Sequence, residues 1–182
     1  MKETSCVGCG ASFPDIEGPV HRYLDSSPGC WAAFGEVLAC EYSDVRYAGV
    51  HRLTVDAYAV QHPGRPSPQT IQSVAVHLIS LCLVLEHGVE MSRATKAMQV
   101  AVKGKDRFFW LTPPSGRFEI TVADVRKANT PEEHAELVRA WAACAWSAWS
   151  EYHGIVRSWL PPAEQFSRAQ QDSPTDASIV AH

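Results

Sequence analysis

Apolar residues recur along most of this chain at the three- and four-residue spacing of an α-helix. Trp31, Phe34 and Leu38 form the first such stripe. Ser27 and Pro28 stand just before it as an N-cap and a first helical residue, which predicts a helix near 28–42 with Cys30 in its first turn. The stretch RYAGVHRLTVDAYAVQHPG predicts a second helix, stopped at His62 by Pro63–Gly64. TIQSVAVHLISLCLVLEHG predicts a third, closed by Gly88 and apolar nearly all round, which is the pattern of a central helix. SRATKAMQVAVKG suits a short helix, and the Pro- and Gly-containing DRFFWLTPPSGRFEI suits a loop or a short hairpin. TVAD at 121–124 is a capping-box pattern opening another short helix. TPEE at 130–133 opens the last helix, whose stripe of Leu137, Trp141, Ala145, Trp149, Tyr152, Val156 and Leu160 runs to Pro161–Pro162.

The two ends break this pattern. Residues 1–27 carry Gly and Pro at short intervals with no apolar period, so something other than a core must hold them. Residues 161–182 are polar and read as a disordered tail. The expected fold is therefore mainly α. It is a five- to six-helix, bundle-like domain over 1–160, with an irregular, metal-stapled Cys-rich lobe at 1–30 and a helical core at 31–160.

Composition narrows the partners. The chain has 182 residues, 46% of them apolar, and a net charge of −4. No helix pattern carries a Lys/Arg cluster, so no nucleic-acid partner is expected. The longest apolar run, Ile71–Leu85, contains Gln72 and His77 and falls short of the roughly 20 residues a membrane span requires. MKETSCVGCG lacks the apolar stretch of a signal peptide, so a cytoplasmic setting is expected. Thiols stay reduced there, and six cysteines read as metal ligands, small buried residues or catalytic thiols before they read as disulfides.

Cys6 and Cys9, each followed closely by glycine, have the spacing of a knuckle that turns backbone N–H groups toward two thiolates of a tetrahedral site. His21 and Cys30 are the nearest further donors, giving Cys6, Cys9, His21 and Cys30 as the expected ligands, with His51 or Cys40 as substitutes for His21. Cys30 in a first helical turn gains from the positive helix end, which favours its thiolate. Zinc is the expected ion, and iron is an alternative for a sulfur-rich site. A redox pair is disfavoured because no strand is predicted before Cys6.

A second group lies on the second and third helices. His51 and His62 are roughly 16 Å apart along a helix and cannot share one ion. Val50, Leu53, Ala57 and Val60 make the core face of that helix, with Asp56 at its edge and His51, Val55, Tyr58 and His62 opposite. Folding the third helix back antiparallel brings Asp56 and His77 to similar heights. A carboxylate that orients an imidazole is the arrangement of a base or a metal ligand. Asp56, His62 and His77 are the candidate catalytic residues, able also to hold a second metal ion, with His153 a further neighbour. The competing reading is a satisfied core histidine. His87 and His134 read as surface or capping residues, and Trp141, Trp146, Trp149 and Trp159 as core and wall.

No G-x-S-x-G, HExxH, P-loop or dinucleotide fingerprint is present. The expected function is a zinc-binding small-molecule enzyme, a metal-dependent hydrolase or another proton-transfer catalyst, with its pocket around Asp56 and His77. The alternative is a non-enzymatic zinc-stabilised module that binds a protein partner or a ligand.

The runs CxxCGA, HRY…SSPGCW, HRLTVDAYAVQHPG and SVAVHL together resemble an uncharacterised bacterial family known as domain of unknown function 5946. The resemblance covers roughly residues 5–160, and VDAYAVQHPG and SSPGCW are its most specific parts. It implies no activity, substrate or ligand. It does imply that the Cys-rich lobe and the helical hairpin belong to one domain.

Overall fold

The protein is mainly α, as a computed structural model describing residues 2–162 shows. The tail expected at 161–182 lies, from residue 163 on, outside the described residues. Eight α-helices follow a short ribbon among those described: α1 Pro28–Ser43, α2 Val45–Ala48, α3 His51–Gln61, α4 Pro68–Leu85, α5 Met91–Val102, α6 Val122–Val125, α7 Pro131–Ala148 and α8 His153–Trp159.

Local chemistry sets most of the helix starts. Ser27, Ser67 and Thr130 each accept a backbone N–H of the first turn, and each is followed by a proline. Thr121 and Asp124 form a reciprocal capping box on α6. Gly88, at φ 63°, takes the left-handed turn after α4. The segment between α5 and α6 is mostly irregular, with one 3₁₀ turn at Lys105–Arg107.

Three expectations are corrected. The second helix, expected as one run from Arg46 to His62, is broken at Gly49–Val50 into α2 and α3. The long last helix is broken into α7, a 3₁₀ turn at Ser150–Tyr152, and α8. At the break the Trp149 indole N–H turns inward to the Val60 carbonyl at 3.1 Å, and the His153 ring stacks on Trp146 at 3.8 Å. These tertiary contacts outweigh a heptad-like stripe that would otherwise continue. The N-terminal lobe, expected to be irregular, contains β1 Glu3–Ser5 paired antiparallel with β2 Ser12–Pro14. Strands of three residues are too short to display alternation. They form because the turn between them is closed by Cys6 N–H to Ala11 O (2.8 Å) and Gly10 N–H to Cys6 O (2.9 Å), with Gly10 at φ 75°.

The core is built around α3, which packs on α4 and α7, while α4 also packs on α5, α7 and α8. Among the described residues α4 is the one helix long and apolar enough to cross a membrane, by length and composition only. Its Leu78, Ile79, Leu81, Cys82 and Leu83 are wholly buried in this core. On α3, Tyr58 and His62 are as buried as Leu53 and Val60. The face read as opposite to the core is thus a second packing face, and it receives the N-terminal lobe. There Asp25 N–H donates to the His62 carbonyl (3.2 Å) and Leu24 bridges Pro63.

Candidate metal centre

The lobe, the start of α1 and the end of α3 converge on one point. Cys6, Cys9, Cys30 and His62 are all buried, and one donor atom from each lies within 4.8 Å of the others. Cys6 and Cys9 come from the turn between β1 and β2, and Cys30 from the first turn of α1. His62 caps the C-terminus of α3, where Pro63 and Gly64 prevent the helix from continuing.

The spacing can be compared with that of a metal. Zinc binds sulfur at about 2.3 Å and imidazole nitrogen at about 2.0 Å, so a tetrahedron sets its S···S edges at about 3.8 Å and its S···N edges at about 3.5 Å. Here Cys9 Sγ and Cys30 Sγ are 3.9 Å apart, and Cys30 Sγ and His62 Nε2 are 3.3 Å apart. The surrounding groups orient the donors. The Nδ1–H of His62 donates to the Tyr58 carbonyl at 2.7 Å, leaving the Nε2 lone pair aimed at the sulfurs. Ser27 N–H donates to Cys6 Sγ at 3.4 Å, and the Tyr58 hydroxyl donates to Cys30 Sγ at 3.5 Å.

Three thiols this close cannot all ionise unaided. Hydrogen bonds from Cys30 and Cys9 hold the Cys6 thiol far below the usual range. Hydrogen bonds with Cys6 and Cys9, together with burial, push Cys30 far up. The hydrogen bond with Cys30 pulls Cys9 down, but its hydrogen bond with Cys6 and burial together outweigh that pull and raise it to about 12. A divalent cation reverses this, since it stabilises every thiolate it touches. Gly8 lets the turn dock. A Cβ there would lie 2.5 Å from both the Asp25 carbonyl and His62 Cδ2.

His21 does not join the cysteines, which corrects the expected donor set. Its Nδ1 accepts the Tyr23 N–H at 3.2 Å, and its ring lies 5.5 Å from Trp31. The two substitutes are elsewhere too. Cys40 is exposed, and His51 binds Glu41 at 2.7 Å. His62, placed by the sequence among candidate catalytic residues, occupies the fourth position. Thirty-one residues separate it from Cys30, so chain proximity pointed to the wrong histidine.

The structure does bring Asp56 and His77 together. Asp56 Oδ1 lies 2.7 Å from His77 Nδ1, and Ser80 Oγ donates to Oδ2 at 2.5 Å. Arg52, one turn earlier on α3, donates to both oxygens, to Oδ2 through Nε at 2.9 Å and to Oδ1 through an Nη. The Asp56 carboxylate is fully buried. Both of its oxygens are occupied and its charge is balanced by Arg52, so it has the environment of a structural carboxylate rather than of a free base or metal ligand. His62 stands apart from this pair. His153 does as well, lying over Trp146 and 3.7 Å from Glu86.

A third buried group escaped the sequence reading. Glu41 of α1 receives Thr54 (2.5 Å), His51 (2.7 Å) and His134 (2.9 Å). His134, read as a surface or capping residue, is 3% exposed. A glutamate on the apolar face of α1 was the available signal. The four tryptophans behave as read, since Trp141, Trp146, Trp149 and Trp159 are all buried.

The chain belongs to a family of unknown function, DUF5946, whose profile matches residues 4–150. No curated protein and no solved structure matches it.

Proposed function

We propose that this family member is a zinc protein in which the ion is structural and the helical body binds a small molecule in a reducing, cytoplasmic setting. The observation that carries the reading is the closed set of four buried donors, Cys6, Cys9, Cys30 and His62, drawn from three separate segments. Zinc is the favoured ion because it is d¹⁰ and takes mixed sulfur and nitrogen ligands. A tetrahedron completed by four side chains leaves no position for a hydrolytic water, which argues against a metal-dependent hydrolase at this centre. The residues themselves tie Ser27, Tyr58 and the lobe into one unit, and an ion between them would hold that unit folded.

Elemental mass spectrometry of freshly purified protein tests this. About one zinc per chain is expected in wild type, His21→Ala and His77→Ala, and none in Cys6→Ser or His62→Ala. Zinc that survives His62→Ala but disappears in His21→Ala would overturn the assignment.

A second reading, acid–base catalysis by His77, is favoured by its 2.7 Å contact with Asp56, the geometry that fixes a catalytic imidazole. It requires a substrate beside His77, which is the question the cleft there raises.

A further inference from the structure

Beside the metal centre, between α1, α3 and α4, lies an apolar cleft of about 240 Å³. Trp31, Phe34 and Tyr58 form one wall, and His21, Ser73 and His77 supply its polar groups. The aromatic wall is organised. Phe34 and Tyr58 stack at 3.8 Å with planes 14° apart, and the Trp31 ring lies 5.5 Å from Phe34. Tyr58 is fixed in turn by its stack on His62 at 4.0 Å and by its bond to Cys30, so the metal centre positions this wall.

His77 is the informative residue. The Nδ1–H of His77 donates to Asp56 Oδ1 at 2.7 Å, which fixes the tautomer of the neutral ring and leaves a lone pair on Nε2. The Arg52 Nη at 3.3 Å from Nδ1 cannot donate there for the same reason. Among the described residues nothing bonds to Nε2, and the side chain, 17% exposed, borders the cleft. A braced imidazole with an unbonded acceptor is thus among the residues lining an aromatic-walled space. The volume suits one or two rings, because an apolar cavity of about 150 Å³ already accommodates benzene.

We propose that this cleft binds a small aromatic molecule bearing a hydroxyl, the class of simple phenols. The ring lies against Trp31 and Phe34, with Tyr58 bracing Phe34 from behind; the hydroxyl donates to His77 Nε2, and its oxygen accepts from Ser73. This rests on the small-molecule reading above and names the ligand class it left open.

The test is titration of the zinc-loaded full chain with phenol, toluene, cyclohexanol and benzoate, following the His77 ring nitrogens and the Trp31 indole by NMR. Phenol should saturate and shift His77 Nε2. Toluene, lacking the hydroxyl, and cyclohexanol, lacking the flat ring, should each bind at least about tenfold more weakly, the loss of one good contact. His77→Ala should remove the preference for phenol over toluene. Ser73→Leu, which fills the cleft without touching Asp56 or the metal donors, should abolish binding while leaving the melting temperature near wild type. Phenol shifts that never saturate or scatter over the surface would overturn the proposal. So would benzoate or cyclohexanol binding as well as phenol, or full phenol affinity in Ser73→Leu. Zinc measured on the same samples separates the two readings: one zinc with no phenol site overturns the cleft alone, and an absent zinc overturns the metal assignment.

Discussion

Two buried polar sites lie one above the other on α3, and they differ in how their charge is balanced. Around Asp56 a carboxylate meets a guanidinium, an imidazole and a hydroxyl, so donors and acceptors are matched within the chain. At the end of the same helix three thiols meet one imidazole nitrogen, and every group there offers electron pairs. The first site is complete as folded. The second is a set of donors that could hold a cation. Burial and proximity alone, which both sites share, do not distinguish a metal centre from a structural network. The sum of charge does.

The largest effect is expected at the cysteines. Cys30→Ser should lose its zinc altogether and release the lobe, seen as lost NMR dispersion over residues 2–30 with the helical signals retained. A lobe that stays ordered without zinc would show that β1, β2 and the α1 cap suffice. Next comes the self-balanced site. Asp56→Asn leaves Arg52 without its partner in a largely buried setting and should destabilise by about 3 kcal/mol in urea unfolding, yet leave zinc content unchanged. Zinc loss in that variant would mean the two sites act as one.

A smaller effect sharpens the metal side. Gly8→Ala sets a Cβ against the backbone of Asp25 and Gln61 as well as the His62 ring, and neither carbonyl can step aside. It should destabilise by about 1–3 kcal/mol and weaken zinc retention against a chelator. An unchanged protein would show that the knuckle is not seated against α3.

The smallest effect concerns an ion pair like that of Asp56, but at the surface. Arg157 binds both oxygens of Glu86 at 2.8 Å and, as the main cause, holds its carboxyl down to about 2, with burial opposing and Cys82 and Trp146 assisting. A carboxyl held down in the folded state stabilises at pH values above its unfolded value near 4.5, and that stabilisation is lost as pH falls through about 2. Glu86→Gln should therefore cost less than about 1 kcal/mol at pH 7. Its melting curve should merge with wild type as the pH is lowered between those two values. A loss as large as that of Asp56→Asn would mean that solvent screening is not what separates the two pairs.

Much of the helical layout was readable because its signals are local. Ser27–Pro28, Thr130–Pro131 and the Thr121–Asp124 box act within one turn, and each opens a helix where read. The meeting of Asp56 and His77 was readable too, since a short turn forces an antiparallel hairpin and a 1.5 Å rise sets the heights. The candidate metal donors were legible only in part. CxxC announced Cys6 and Cys9, and Cys30 followed from its place at a helix start. His62 was read as a catalytic candidate rather than the fourth donor, because His21 lies nearer the cysteines in the chain, and the burial of His134 was missed because its partner Glu41 lies 93 positions away.

The sequence by itself determined most of the helix starts, their caps and the pairing across the α3–α4 hairpin, because propensity, capping and periodicity act over a few residues. Only the tertiary structure decided which histidine joined the cysteines, where the last helix broke and which carboxylates became saturated. Those outcomes depend on groups brought together from distant parts of the chain, and a donor's role is set by the charges and lone pairs that surround it after folding.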